Sequence, residues 1–287
     1  MYTRKNQRDL TPGERRAFVE AVLELRRRGD YEWFVRTHVQ YFVPDGEDGL
    51  RAAHMTPSFL PWHRRFVLRF EEALREIDTS VSVPYWDWTV DSTPGAALWQ
   101  DDFLGGTGRQ GDQQVMTGPF AYGTGNWTIS GGVTDDRFLT RDLGGPRRDP
   151  VALPTNDEVE RALGATAYDV APWDSTAGAG FRNRLEGWIT SGDQPYRNHN
   201  RVHHWVGGSM LSGSSPDDPV FWLHHAFIDL LWDRWQARHP GAGYLPAAKL
   251  AQGDPQHGRV ISRDEPMPPW NEKPSDLLGH AGIYRYA

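Results

Sequence analysis

The stretch SFLPWHRRFVLRFEEALREID, residues 58–78, decides the fold class of this chain. Its apolar side chains recur every three or four residues, which predicts one long helix with a single buried face. That face carries Phe59, Phe66 and Phe70, and His63 stands on the same stripe between them. A buried imidazole needs partners for both of its nitrogens. The stretch therefore predicts a helical core in which His63 has a polar or metal partner.

Helical signals also stand on both sides of this stretch. TPGE at 11–14 is a capping box with proline at the first helical position, so Thr11 caps a helix and Glu14 reaches back to it. In YEWFVRTHV, Phe34 and His38 lie one turn apart on a second helix.

Two more helices are predicted near the other end of the chain, in NRVHHWVGG (200–208) and DPVFWLHHAFIDLLWDRWQ (218–236). In the latter, Asp218 is predicted as the cap and Pro219 as the first helical residue. Between the helical regions, residues 91–155 are rich in Gly, Pro and Asp, which is typical of long ordered loops with short strands. We therefore predict a mainly α fold, a helical bundle core with long irregular loops and a few short strands, in one domain over 1–287.

Composition excludes several classes of function. The 287 residues carry a net charge of −7 and no basic run beyond RRR at 26–28, so nucleic acid is not an expected partner. No stretch of about 18 apolar residues appears, and the first residues lack the apolar core of a secretory signal. The absence of cysteine rules out disulfides, thiolate metal sites and cysteine nucleophiles.

Histidines form the candidate site. Eight of the eleven fall in two groups that are far apart in sequence: 38, 54 and 63, then 199, 203, 204, 224 and 225. Most stand among apolar residues of predicted helices, and one metal ion would satisfy a nitrogen of several rings at once. The other three, at 239, 257 and 280, have polar surroundings and are predicted at the surface.

The donor set narrows the choice of metal. The chain has no HExxH motif and no pair of Glu-x-x-His motifs, which argues against zincin and carboxylate di-iron sites. Ligation by imidazole alone suits copper or zinc, and copper has the higher intrinsic affinity. His199 and His203 share a helix face. Helical periodicity does not decide between His224 and His225.

Several motifs together resemble the bacterial tyrosinases, a family of type-3 dicopper phenol oxidases. They are FLPWHRRFVLRFEEAL, HNRVH and DPVFWLHHAFIDLLW around the histidines, with RKNQ, VPYWDW, DFLGGTG and FRNRLEGW elsewhere. The resemblance covers nearly the whole chain. It implies two copper ions, with dioxygen as co-substrate, hydroxylation of monophenols such as tyrosine, and oxidation of o-diphenols to o-quinones.

The resemblance also implies the ligands: CuA bound by His38, His54 and His63, and CuB bound by His199, His203 and His225. His224 is then left for packing. Glu186 and Asn200 match a pair that is proposed in tyrosinases to hold a water acting as general base for monophenols. The alternative from the residues alone is that Glu186 pairs with Arg182 and Asn200 caps a helix.

Three features depart from the bacterial pattern near CuB. The segment 189–198 is longer than usual, His204 follows the second CuB ligand, and Leu211 and Ser212 occupy the place of a small residue at the entrance. All are candidates for lining the substrate pocket. We expect a bulkier pocket mouth, and therefore more efficient oxidation of o-diphenols or o-aminophenols than hydroxylation of monophenols.

Two other functions use similar sites. One is a catechol or o-aminophenol oxidase that lacks hydroxylation, and the other is an oxygen carrier of the hemocyanin kind. Carriers cover the coppers with a further domain, which we do not expect here. Relatives often need a small helper protein for copper loading and export, so we expect the chain either in the cytoplasm or exported with such a helper.

Overall fold

A computed structural model describes residues 1–129, 136–146, 150–188 and 196–287. Within these ranges there are seven helices, joined by loops and short 3-10 turns. They are α1 (Pro12–Arg27), α2 (Tyr31–Tyr41), α3 (Phe59–Ile77), α4 (Asn156–Leu163), α5 (Phe181–Glu186), α6 (Asn198–Val206) and α7 (Val220–Arg238). Two three-residue strands, β1 (Tyr2–Arg4) and β2 (Tyr284–Tyr286), form a parallel pair. The prediction of a mainly helical fold is confirmed.

Helix α3 lies at the centre of the core, between α1 and α7. The rings of Phe70 on α3 and Trp222 on α7 stack with centroids 3.7 Å apart, and Phe34 on α2 packs edge-on against both. The predicted stripe through His63 and Phe66 is fully buried here. Burial of such large aromatic side chains is the main favourable contribution to folding. This aromatic packing also holds α2, α3 and α7 against one another at one place in the core.

Helix boundaries follow local capping closely. Thr11 and Glu14 form both hydrogen bonds of the capping box at α1, as predicted. Helix α7 begins one residue later than predicted, because Pro219 takes the cap position. Asp218 accepts from the amide of Val220, but its carboxylate mainly forms a buried ion pair with Arg141 at 2.6 Å.

The expectation of short strands within 91–155 is wrong for the described part of that segment. It contains 3-10 turns and one isolated bridge, between Gln114 and Thr140. Frequent glycine and proline interrupt any longer ladder, so the backbone groups bond within local turns instead. The strands stand at the two ends of the described chain. Helices α4 and α5 were not predicted, although Thr155 and Glu158 form a capping box before α4.

Arg4, in the RKNQ motif, joins the ends of the chain to the core. Its guanidinium pairs with Glu71 of α3 at 2.7 Å and with Asp229 of α7 at 3.1 Å, and Arg64 reaches Asp229 at 2.5 Å. Burial would raise the pKa of Asp229, but the charges of Arg64 and Arg4 lower it to about 2. This paired network sets α3 and α7 side by side. No helix in the described ranges has both the length and the apolar composition to cross a membrane.

Candidate metal centre and substrate pocket

The first histidine group combines one ring from each of three chain segments. His38 comes from α2, His63 from α3, and His54 from the loop between them. The Nε2 atom of His38 lies 3.0 Å from that of His54 and 3.5 Å from that of His63. His38 and His63 donate their Nδ1 protons to the carbonyls of Gly213, at 2.6 Å, and Phe59, at 2.9 Å. Their Nε2 lone pairs therefore point at a common centre.

The second group is built by α6 and α7. His199 Nε2 lies 3.1 Å from His203 Nε2 and 3.3 Å from His225 Nε2. His203 Nδ1 is held by the carbonyl of Met210 at 2.7 Å, and His199 Nδ1 by Oδ1 of Asn200 at 2.8 Å. The two groups touch, since the rings of His63 and His225 stack with centroids 4.3 Å apart.

Both groups have the separations that a metal ion requires. Two imidazole nitrogens bound about 2.0–2.1 Å from one ion at tetrahedral angles lie about 3.3 Å apart. The Nε2 atom of His38 lies 3.0 and 3.5 Å from those of its two partners, and the Nε2 atom of His199 lies 3.1 and 3.3 Å from those of its two partners, all close to that value. Without an ion, these closely spaced nitrogens cannot all be satisfied by hydrogen bonds to one another. The donor geometry therefore fits one metal ion in each group.

Five of these rings, those of His38, His63, His199, His203 and His225, are neutral, as ligation requires. Burial, followed by the neighbouring imidazoles, holds the pKa of His38, His63, His199 and His225 well below the usual range. Burial also lowers the pKa of His203 to about 3. At neutral pH, protons therefore do not compete with a metal cation for the nitrogens of these rings.

His224 lies beside the second group without a hydrogen bond. Its ring stacks on His199 with centroids 4.9 Å apart, and neither of its nitrogens has a hydrogen-bond partner. One nitrogen each from His199, His203, His224 and His225 lies within 4.8 Å of the others. Of the neighbouring pair His224 and His225, His225 is the one whose Nε2 makes a close contact with Nε2 of His199, at 3.3 Å.

Glu186, at the end of α5, lies behind the first group and is fully buried. Its Oε1 accepts from the amide of Met55 and from Nε1 of Trp188, both at 2.7 Å, and lies 3.5 Å from Nδ1 of His54. Its Oε2 pairs with Arg182 at 2.9 Å. Burial would raise the pKa of Glu186, but its interactions with His54 and Arg182 lower it. The predicted contact with Arg182 is therefore present.

Asn200 is the third residue of α6 and not its cap. Its side-chain oxygen accepts from His199, and it also lines the pocket described below. The capping alternative for Asn200 is therefore wrong, because the helix begins two residues earlier.

A narrow cavity of about 130 Å³ opens beside the two histidine groups. It reaches rings of both groups, and the remaining wall consists of Phe42, Trp188, Tyr196, Asn200, His204, Met210, Leu211, Ser212 and Ser215. The structure thus brings His204, Leu211 and Ser212 together at the cavity, where the sequence predicted them. The rings of His204 and Tyr196 pack with centroids 4.6 Å apart.

Part of the predicted site lies outside the described residues. Of the long segment 189–198, the structure describes only 196–198, and of these Tyr196 lines the cavity. Sequence reasoning missed Trp188, whose position two residues after Glu186 was a usable signal. It also missed Phe42 and Met210, which only the folded loops bring to the cavity. The three remaining histidines, predicted at the surface, are half-buried; His239, for example, bonds to the carbonyl of Leu163.

Known proteins resemble this chain over its full length. Residues 28–238 match the family described as the common central domain of tyrosinase. The chain is 53% identical to a tyrosinase of Streptomyces glaucescens and 42% identical to grixazone synthase of Streptomyces griseus, covering all of this chain and 99% of each relative. A polyphenol oxidase structure from Thermothelomyces thermophila aligns with TM-score 0.72 at 24% identity, over 100% of this chain and 89% of that one. An Octopus hemocyanin unit aligns with TM-score 0.62 at 20% identity, over 100% and 68%. These two structural likenesses concern the fold.

Proposed function

Because the chain belongs to the tyrosinase family, we propose which of its residues carry out the copper-dependent oxidation of phenols by dioxygen. The protein is a copper oxidoreductase that acts on phenolic substrates. Two copper ions, when bound, supply the electrons that activate dioxygen for ortho-hydroxylation of monophenols and for oxidation of o-diphenols to o-quinones. The observation that supports a site for both ions is the convergence of two buried imidazole groups beside one cavity.

We propose His38, His54 and His63 as the CuA ligands, and His199, His203 and His225 as the CuB ligands. The support is that four of these rings, His38, His63, His199 and His225, are buried and neutral. In addition, backbone carbonyls hold the Nδ1 protons of His38, His63 and His203. Such outer hydrogen bonds fix the tautomer and the direction of the ligating nitrogen. His225 is preferred to His224 because its Nε2 makes the close contact with His199.

Glu186 and Asn200 act in this proposal as positioning residues. Glu186 holds the turn at Met55, whose φ of 54° is unusual for a bulky residue, and faces Nδ1 of His54. Asn200 accepts from His199 and so orients that ring. The general-base interpretation stays a prediction. Glu186 already accepts hydrogen bonds from three donors and is not part of the cavity wall, whereas Asn200 lines the cavity.

The pocket wall supports a preference among substrates. For hydroxylation, a monophenol must present first its oxygen and then its ortho carbon to the metal centre. For oxidation, an o-diphenol needs to present only the edge of the ring that carries its two hydroxyl groups. His204, Tyr196 and Leu211 contribute bulky side chains to the wall of the cavity. We therefore propose that o-diphenols or o-aminophenols are oxidised more efficiently than monophenols are hydroxylated.

Oxygen uptake tests this function directly. The copper-loaded protein is compared with tyrosine, a catechol and an o-aminophenol in parallel, and kcat/KM is measured for each. We expect uptake with phenolic substrates and the lowest efficiency with tyrosine. Uptake with the catechol and aminophenol alone would indicate an oxidase without hydroxylation, and no uptake with any of them would contradict the function.

Copper loading by a small helper protein is a further part of the proposal. The proposed ligands line or lie behind a narrow cavity, and His38, His63, His199 and His225 are at most 2% exposed. Entry of copper without assistance should therefore be slow. The test adds copper to the metal-free chain alone; rapid uptake of two ions per chain would contradict the need for a helper.

A further inference from the structure

A second concavity lies between α4, α5 and the start of α6. Its volume is about 650 Å³, and it shares no lining residue with the cavity beside the histidines. Arginines from three separate segments meet there: Arg161 on α4, Arg184 on α5, and Arg197 directly before α6. This volume falls within the range of about 300–1,000 Å³ that is usual for small-molecule sites.

The wall of this concavity is positively charged. None of the three arginines forms an ion pair with any residue that the structure describes, and Arg197 has a buried Nε without a hydrogen bond. Glu158 is the acidic side chain on the described wall, and Arg201 pairs with it at 2.6 Å. Three arginines without an ion pair to a described residue therefore line one space, in a chain whose net charge is −7. Like charges gathered in this way repel unless an anion joins them.

We propose that this concavity binds a small, multiply charged oxyanion, such as a polyphosphate or a polycarboxylate. A guanidinium presents its donors in a planar fork that matches phosphate and carboxylate oxygens in two-point contact. Arg184 donates from Nε to the carbonyl of Gly178 at 3.2 Å and from Nη1 to the carbonyl of Arg161 at 3.5 Å, and these bonds fix the direction of its guanidinium. Arg197 offers an Nε that has no partner in the described structure.

The concavity lies at the joint between two helices that carry site residues. Gly187 ends α5 with a φ of 92°, and a Cβ there would overlap the carbonyl of Arg197, so the two chain segments pass in direct contact. The amide of Arg197 donates to the carbonyl of Gly187 at 3.0 Å, and Asn198 donates to that of Arg184 at 2.8 Å. An oxyanion that joins Arg184 and Arg197 would therefore stabilise the junction of α5 with α6.

Calorimetric titration of the copper-loaded protein tests the proposal, with pyrophosphate and citrate as separate probes at about 0.15 M salt. We expect one anion per chain, and the better probe identifies phosphate or carboxylate chemistry. Ligand at about 100 times its Kd should raise Tm by about 4 °C for a chain of this length. The double variant R161Q/R197Q should bind at least about tenfold more weakly, because each arginine loses charged hydrogen bonds.

The matched control is R263Q, which removes a half-exposed arginine paired with Asp264 far along the chain. This variant should bind the probes as the parent does. Copper content is measured after each titration, because both probes chelate copper. Equal binding by the parent and by R161Q/R197Q, or no saturable binding by the parent at millimolar probe, would overturn the proposal. Both outcomes are read without a phenolic substrate, so they are independent of the oxidase activity.

Discussion

Replacing Glu186 by Gln distinguishes two possible roles of this residue, positioning of His54 and general-base catalysis. The carboxylate accepts from Met55 and Trp188 on one oxygen and from Arg182 on the other. The amide of Gln has one accepting oxygen and one donating NH2 group. Its NH2 group must therefore face a donor, either Arg182 on one side or Met55 and Trp188 on the other. The substitution keeps the shape of the side chain but leaves the loop beside His54 less firmly held.

The expected magnitudes follow from this burial. Breaking a fully buried ion pair costs about 3–5 kcal/mol, and the lower value applies because Asp169 still pairs with Arg182 at 2.8 Å. For 287 residues, the entropy of unfolding is about 0.6 kcal/mol per kelvin, so Tm should fall by about 5 °C. Loss of the partner of a metal-binding histidine lowers metal affinity about 10–100-fold.

The assay measures copper content and kcat/KM for tyrosine and for its ortho-hydroxylated product. A positioning role predicts that E186Q loses copper when copper is limiting, and that both activities fall together and recover together on saturation with copper. The control is E160Q, which breaks an exposed pair with Arg238 and should change little. Two retained coppers with normal o-diphenol oxidation, and a loss of about a hundredfold confined to tyrosine, would refute the positioning role and favour the general base.

Three further outcomes test the ligands and the pocket. His63→Ala or His203→Ala should each lose one copper ion by metal analysis and nearly all activity; full copper content with intact activity would contradict the assignment. His225→Ala should lose one copper and His224→Ala should keep two, and the reverse result would exchange their roles. Leu211→Ala should raise kcat/KM for monophenols more than for o-diphenols, because it widens the mouth of the cavity; an equal change for both would count against steric control.

Helices with local signals could be predicted from the sequence. The capping box at Thr11 and the long apolar stripe of α3 depend on neighbours within a few residues, and both predictions hold. Helix α5, with six residues, is too short to show periodicity, so its absence from the prediction has a physical cause. The capping box of Thr155 before α4 was readable and was overlooked. The extent of the domain, 1–287, stays a prediction.

The histidine groups could be found in the sequence because they interrupt apolar helices, but the direction of each ring could not. That direction depends on carbonyls that fold back from distant loops: Gly213 lies 175 residues from His38, and the acceptor of His203 is Met210 in the following 3-10 turn. The residues that line the cavity are likewise brought together by loops whose positions depend on the whole fold.

Glu186 and Met55 show why such contacts escape a reading by pattern. They are separated by 131 positions, and neither residue belongs to a periodic stripe that would mark it as part of the site. The buried charge of Glu186 is tolerable only because Arg182 and two further donors surround it, and one of these donors, the amide of Met55, comes from a distant loop. A site that requires so many partners at once also holds its loop in one conformation. The position of His54 therefore depends on the whole arrangement around Glu186, and this dependence is what the E186Q variant measures.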